Sequence, residues 1–426
     1  MTARSRTLGI VGTMVLDRIV PVDREPVEGW GGIGYSVAAA AATLPANWGV
    51  RVVARVGEDL VHEVERVLAS IPRCELRLTT VPEPNNRVEL VYHDAERRTE
   101  YLSGGVSGWD GSVLADALLG CDAVLLNFIS GHELDLAALK DLRRRVEVTV
   151  YADVHSLFLA TEPGGTRTPR VLEDWRAWYA CFDVVQMNED EFSLLTRASD
   201  GPGTLEDVLE AGPRMACVTR GSRGATVAYR AQGRTLVSDV TLLHPRSGDP
   251  TGCGDIWGAV MCGRLLAGAG EVRAAESANR VAAANLDHHG VVGLVDRLAD
   301  AVLIADREGT IVYWNAAAER LFWTEFHDFA DPRSNLSELR GSTPILLFPL
   351  RLETRFKVMA DPGPLPPSPC DRFPYREDAA PLAKAARGFL WRRACKPPPR
   401  RSSTGSTPTR NRSEEHTSEL QSQFRI

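Results

Sequence analysis

Over the first 297 residues, short apolar runs alternate with longer amphipathic stretches. The runs Leu8–Val11, Val50–Val56, Ala123–Phe128, Val148–Ala152, Val184–Met187 and Ala216–Thr219 are aliphatic and short, which predicts buried strands. Helical periodicity predicts helices over Tyr35–Leu44, Leu60–Ser70, Leu136–Arg145, Glu189–Thr196 and Gly203–Ala211. Strands separated by helices build βαβ units around a mostly parallel sheet. Ligand sites in such sheets lie beyond the strand C-termini, so the loops after these strands are where chemistry is expected. One segment breaks the alternation. Asn86–Leu102 has partial period-two patterning around a polar tip, His93–Arg97, and predicts a hairpin. Such a hairpin serves either as a small sheet covering a cleft or as plain surface structure.

Composition narrows the class. The chain has 426 residues, 44% hydrophobic and 25% charged, with a formal net charge of -7. That size accommodates two or three domains, or one large α/β domain with appendages. The acidic balance argues against a nucleic-acid partner, which selects for a basic face. Eight cysteines, at 74, 121, 181, 217, 253, 262, 370 and 395, form no C-x-x-C pair and no zinc spacing with histidine. Most lie in apolar runs and read as reduced core thiols, which points to the cytoplasm. The run Leu8–Leu16 is interrupted by Gly9, Gly12 and Thr13 and followed by Asp17, so it reads as a first strand and not as a signal peptide. No run reaches the length of a membrane span.

The chemistry concentrates in Asp249-Pro250-Thr251-Gly252-Cys253-Gly254-Asp255, which feeds a helical pattern beginning Ile256-Trp257-Gly258. A glycine turn entering a helix directs backbone N–H groups at an anion, and the helix dipole adds to the field. Gly252, Cys253 and Gly254 would supply these amides. Asp255 stands where it could accept the proton of a hydroxyl attacking a phosphate. The simpler alternative is a helix start with flexible glycines. A thiolate role for Cys253 near the helix N-terminus is a further, weaker alternative.

With these motifs in register, residues 7–297 resemble the PfkB (ribokinase-like) carbohydrate and nucleoside kinases. Gly12–Asp17 is similar to the family's first strand and turn, which places Asp17 on sugar hydroxyls. Gly31-Gly32-Ile33-Gly34-Tyr35-Ser36 resembles the di-glycine signature that hinges a lid and lines the sugar site, with Ser36 where the family usually has Asn. Val56-Gly57-Glu58-Asp59 matches V-G-x-D. Asn188-Glu189-Asp190-Glu191 is similar to N-x-x-E, which implies that Asn188 borders the nucleotide and Glu191 organises Mg²⁺. Thr219-Arg220-Gly221-Ser222-Arg223-Gly224 resembles T-x-G-x-x-G, giving Thr219, Gly221 and Gly224 to the nucleotide; Asn279 on a late helix falls beside the adenine. The signature departs from D-T-x-G-A-G-D at Pro250 and Cys253. Asp153-Val154-His155 falls where the family carries an acid and then an Arg; the Arg is absent, and His155 reads as a packed histidine.

The resemblance implies a three-layer α/β sandwich, with a central mostly parallel sheet flanked by helices and a small β lid from about 12–35 and 85–104. It implies ATP and Mg²⁺, with a monovalent cation as an optional addition, a sugar or small polyol as acceptor, and a homodimer through the lid as one arrangement. Asp255 would be the general base, with Gly252, Cys253 and Gly254 as the anion hole. Two alternatives stand beside it: a nucleoside kinase of the same family, and a kinase-like sensor that binds without turnover. No Walker A run is present.

After residue 297 the character changes. Residues 298–323 run as strand, D-x-x-G turn, strand and W-N-x-x-A-E, and resemble the start of a PAS sensor domain. Downstream, Asp331–Leu350 lacks the strand pattern that would complete such a sheet, Pro362–Pro369 holds five prolines, and residues 396–412 are rich in Pro, Arg, Ser and Thr, so that 324–426 reads as a largely disordered tail. Arg412–Ser422 is similar to a translated sequencing-library adaptor, so an artefactual reading frame is expected from about residue 323.

Overall fold

The computed structural model describes residues 5–298 apart from 46, 94–97 and 243–247, and beyond them three short strands. The chain divides into two units, Met1–Ala299 and Asp300–Ile426.

In the first unit, β1 (Arg6–Gly12), β2 (Met14–Val20) and β3 (Val27–Gly32) lead into helix α1 (Ile33–Thr43). Then come β4 (Trp48–Gly57), α2 (Val61–Ala69), β5 (Cys74–Val81) and the hairpin β6 (Arg87–Tyr92) and β7 (Arg98–Ser103). Helix α3 (Gly111–Ala117), β8 (Ala123–Asn127), α4 (Leu136–Arg145) and β9 (Thr149–Asp153) follow. A small hairpin, β10 (Leu159–Thr161) and β11 (Arg167–Pro169), precedes α5 (Trp175–Tyr179), β12 (Val184–Asn188), α6 (Glu189–Leu195), α7 (Leu205–Glu210) and β13 (Met215–Thr219). The unit closes with β14 (Ala225–Ala231), β15 (Arg234–Val240), α8 (Cys253–Leu266), α9 (Glu271–Ala283) and α10 (Leu294–Leu298).

Nine strands form one sheet in the order β15-β14-β13-β12-β9-β8-β1-β4-β5. Seven of them, β13 through β5, run parallel, and β14 and β15 close one side antiparallel. The central strands are apolar on both faces because both are covered. Ile10, Val52, Leu125, Tyr151, Val184 and Met215 pack with α1, α8 and α9 on one side. Val11, Val53, Leu126, Val150, Val185 and Ala216 pack with α3 to α7 on the other. Alternate residues of one strand therefore serve two separate cores, giving the mostly parallel sheet that the periodicity predicts and the three-layer α/β sandwich that the resemblance implies. The apolar runs locate the buried strands to within two residues. They do not reveal β5, which lies at the sheet edge with alternating exposure and so has no sustained apolar run.

A separate four-stranded sheet, β3-β2-β6-β7, is built from the segments that flank α1 and follow β5. Two devices fix its junction with the main body. Gly32 at the α1 N-cap has φ 61°, and a side chain there would strike the Thr13 carbonyl. Asn85 is fully buried; its amide nitrogen donates to the Met14 carbonyl at 3.0 Å, and its amide oxygen accepts from Gly57 N–H at 3.2 Å. One side chain thus ties the start of β2 to the end of β4.

In the second unit, Val302–Ala305 and Ile311–Trp314 pair antiparallel, and Lys357–Ala360 runs parallel to the first of them. The polar stretch and adaptor-like segment anticipated for 361–426 lie outside the described residues.

Candidate active site

The loop after residue 248 is stabilised before it can bind anything. Asp249 Oδ1 accepts from Thr251 N–H at 2.9 Å and from Thr251 Oγ1 at 2.7 Å, while Oδ2 pairs with His289 Nδ1 at 2.8 Å. Gly252 is the N-cap of α8 with φ 75°, and its Cα lies against the ring of Tyr35, where a Cβ would come within 2.6 Å. A helix start leaves its first amides without a carbonyl one turn back. Here the Cys253 N–H returns to the Pro250 carbonyl at 3.0 Å. Of the three amides assigned to the anion hole from sequence, Cys253 is therefore engaged within the loop. Gly254 is exposed, and a Cβ on it would meet nothing within 4 Å, so its side of the turn opens outward. The Cys253 thiol faces inward, donating to the Ala282 carbonyl at 3.4 Å, and burial raises its pKa to about 11. A thiol so held carries no thiolate chemistry near neutral pH.

Asp255 follows in the first turn of α8. Its Oδ1 accepts from the Asn127 side-chain amide at 2.7 Å, and that same amide donates to Ser36 Oγ at 3.0 Å. Ser36, fully buried on α1, donates to the Asp255 main-chain carbonyl at 3.2 Å. Ser36 thus works as a strut under the acid. Burial raises the Asp255 carboxyl to about 6; the charge of His155 acts against this, that of Asp153 with it, and the Asn127 hydrogen bond against it.

The loop after β9 contributes a second group. Asp153 Oδ1 lies 3.0 Å from His155 Nδ1, and Asp153 Oδ2 accepts from Gln186 at 3.0 Å. Gln186 is buried in the middle of β12; it also donates to the Gly254 carbonyl at 3.0 Å and accepts from Tyr151 OH at 2.9 Å. Gly258 on α8 makes room for it, since a Cβ there would strike the Gln186 amide. One ligand atom from each of Asp153, His155 and Asp255 lies within 4.8 Å of the others. Burial opposes charge on His155, yet the charge of Asp153 and its hydrogen bond, reinforced by Asp255 and Glu191, raise the imidazole to about 10. His155 is thus a cation among carboxylates, not the inert packed ring expected from sequence.

Glu191 sits one turn into α6. It forms a capping box with Asn188: its side chain accepts from Asn188 N–H at 2.7 Å, and Asn188 Oδ1 accepts from Glu191 N–H at 2.9 Å. Burial raises its carboxyl to about 7, with His155 pulling the other way. Thr219 ends β13, and Gly221 (φ 54°) and Gly224 (φ 90°) shape the turn after it. A side chain on Gly224 would strike the Val240 carbonyl. Asn279 is buried with both ends of its amide occupied, accepting from Trp257 Nε1 at 2.8 Å and donating to the Val240 carbonyl at 2.9 Å. Its side chain locks α9 to α8 and β15.

From the other sheet comes Asp17, on β2. Its carboxylate lies against Gly31 of β3, where any side chain would collide with it. Burial raises its pKa to about 8, and the charges of Asp255, Glu100 and Asp249 add to the rise. Tyr35 OH accepts from Gly290 N–H at 3.2 Å. Asp17, Asp249 and Asp255 therefore share one electrostatic environment, although they come from β2, a loop and α8. Sequence reading missed Asn127 and Gln186. The signals were there: a terminal Asn on the apolar strand Ala123–Asn127, and a polar residue inside Val184–Met187 that a buried strand must satisfy.

This arrangement stands beside known proteins as follows. Residues 133–297 match the family described as pfkB family carbohydrate kinase, and residues 291–323 match the PAS fold. A sulfate complex of a pyrophosphate-dependent kinase in the ribokinase family is 20% identical, with 66% of this chain and 96% of that chain covered and a TM-score of 0.54. Ribokinase from Thermotoga maritima is 16% identical over 68% of this chain and 95% of its own, with a TM-score of 0.52. A Burkholderia thailandensis nucleoside kinase in complex with inosine is also 16% identical, covering 68% of this chain and 94% of its own at a TM-score of 0.52. A comparison with curated proteins gave no significant match. The first unit has the ribokinase fold. Within it, residues 133–297 carry the match to the pfkB family.

Proposed function

We propose that the chain is an ATP-dependent phosphotransferase that moves a γ-phosphoryl group to a hydroxyl of a sugar or related small polyol, in the cytoplasm. The observation that carries this reading is Asp255 held by Asn127 at the open N-terminus of α8, beside Asp17 of the second sheet. Asp17 binds and orients acceptor hydroxyls, and Asp255 accepts the proton of the attacking one. The Gly252 and Gly254 amides and the α8 dipole stabilise charge on the transferring oxygens. The turn Thr219–Gly224 borders the nucleotide, with Asn188 nearby, while Asn279 supports that wall from behind. The donor set also suits Mg²⁺: the carboxylates of Asp153 and Asp255, with ligand atoms within 4.8 Å of each other, and that of Glu191 are the hard oxygen ligands that such an ion would take. When bound with ATP, that ion neutralises phosphate charge. The sheet β3-β2-β6-β7 serves as the lid and is the surface for a homodimer.

A nucleotide-release assay with a panel of sugars and nucleosides tests this, run with ATP and with pyrophosphate as donors. Asp255→Asn should lower kcat by about 1,000-fold or more while leaving acceptor binding within a few-fold. Acceptor binding with no turnover on any substrate or donor would instead identify a sensor. Turnover with pyrophosphate alone would overturn the ATP assignment.

A further inference from the structure

One buried charge in the first unit has no use in the mechanism above. Arg167, at the start of β11, is only 6% exposed, and among the described residues none of its Nε, Nη1 and Nη2 atoms has a hydrogen-bond partner. A guanidinium carries five N–H donors that cannot be neutralised by deprotonation, so burying it unpaired is costly. The neighbouring acids do not resolve this. Glu133 is buried, but its carboxylate is already served by Thr13 Oγ1 at 3.0 Å, Ser130 N–H at 2.7 Å and Gly131 N–H at 2.9 Å. Glu100 of β7 acts on Arg167 through its charge without a hydrogen bond to it.

Position gives the buried charge a meaning. The segment leading into Arg167 lies on the second sheet: Leu102 N–H of β7 donates to the Gly165 carbonyl at 2.8 Å, and Thr166 bridges Tyr101. The charge of Glu100 acts on both Arg167 and Asp17, and that of Asp255 acts on Asp17. Register places it further: Asp17 of β2 pairs with Val88 of β6, Val88 pairs with Leu102 of β7, and Leu102 meets Gly165, so Arg167 enters at the edge of the same sheet that carries Asp17. Arg170 adds a second positive charge nearby.

We infer that Arg167 receives an anionic group of the acceptor, so that the substrate is a hydroxy compound bearing a carboxylate or a phosphate, not a neutral sugar or polyol. A planar fork of donors takes either group bidentately. The inference rests on the kinase reading and narrows its substrate class.

The test uses the full chain and matched pairs differing in one charge: gluconate against gluconamide, and glucose 6-phosphate against glucose. Binding is measured by calorimetry on the Asp255→Asn protein, and turnover on the wild type. The anionic member of one pair should bind and turn over about 100-fold better than its neutral partner, and the pair showing this separates carboxylate from phosphate recognition. Arg167→Gln should remove that preference by raising KM for the anion, leaving the neutral compound unchanged, and Arg167→Lys should restore part of it. The wild-type pairs decide the matter even if Arg167→Gln fails to fold. Equal binding of both members of each pair would overturn the inference, as would an Arg167→Gln protein of lowered Tm with unchanged charge preference, which marks a structural counter-ion. Charge-selective binding without turnover would sustain the Arg167 assignment while refuting the kinase reading.

Discussion

Asp255 and Asp17 show how single residues are set by what surrounds them. With its carboxyl raised to about 6, Asp255 is an acceptor of protons near neutral pH and loses that capacity on acidification. The value of kcat/KM should fall about tenfold per pH unit below about 6 in a full pH–rate profile, and a flat profile down to pH 4.5 would exclude Asp255 as the base. Asp17 has a different consequence. Its folded pKa of about 8 lies above the reference value of 3.8. Below the reference value both folded and unfolded chains keep the proton, and nothing is lost. As pH rises towards 8, only the unfolded chain gives it up freely, so stability falls across that window. Asp17→Asn should therefore raise Tm relative to wild type by an amount that grows between pH 4 and pH 8. An equal difference at both pH values would show that the carboxylate is not destabilising. At this scale the sequence was informative about identity: Asp17 and Asp255 stand out near glycines, and Glu191 closes the acidic run after Asn188. It was silent about state, because the carboxamides of Asn127 and Gln186 come from other strands and the charge of His155 from the turn after β9.

At the scale of elements, the turn entering α8 combines local and distant constraints. Gly252 is required locally by its left-handed φ of 75° and remotely by the Tyr35 ring from α1. The left-handed conformation alone costs about 1–2 kcal/mol for a residue with a Cβ. Gly252→Ala should lower Tm by several degrees and cut kcat at least tenfold, because moving Tyr35 also moves the α1 residue Ser36 that supports the Asp255 carbonyl. Unchanged kcat in a stably folded Gly252→Ala protein would dissociate the turn from the chemistry. The glycines of this run are legible in sequence as a motif. That Cys253 N–H turns back to Pro250 is not, since it depends on the geometry the proline imposes.

The first unit combines a nine-stranded sheet covered on both faces with a separate four-stranded sheet, and a second unit follows in the chain. The two cores of residues 5–298 are each continuous within that span. Residues 1–298 alone should unfold in one cooperative thermal transition, with a Tm within a few degrees of the corresponding transition of the full chain. A broad, non-cooperative melt of the truncated protein would show that the first unit depends on residues beyond 298.

Sequence by itself determined the buried strands and most of the longer helices of the central sandwich, because burial on both faces writes uninterrupted apolar runs and helix packing writes a 3.6-residue period, while the edge strand β5 carries no such run. It also placed the Gly252–Asp255 turn at a helix start, since glycines and an acid in that order have a local physical meaning. Tertiary structure alone decided which groups meet. Asn127, Gln186, Ser36 and Asp255 are separated by tens of residues or more and come together only because β8, β12, α1 and α8 converge at one end of the sheet. Arg167 is the clearest case: in sequence it is one arginine among many, and only burial without a partner gives its charge a purpose. Contacts of that kind are set by the packing of elements, and no local pattern in the chain encodes them.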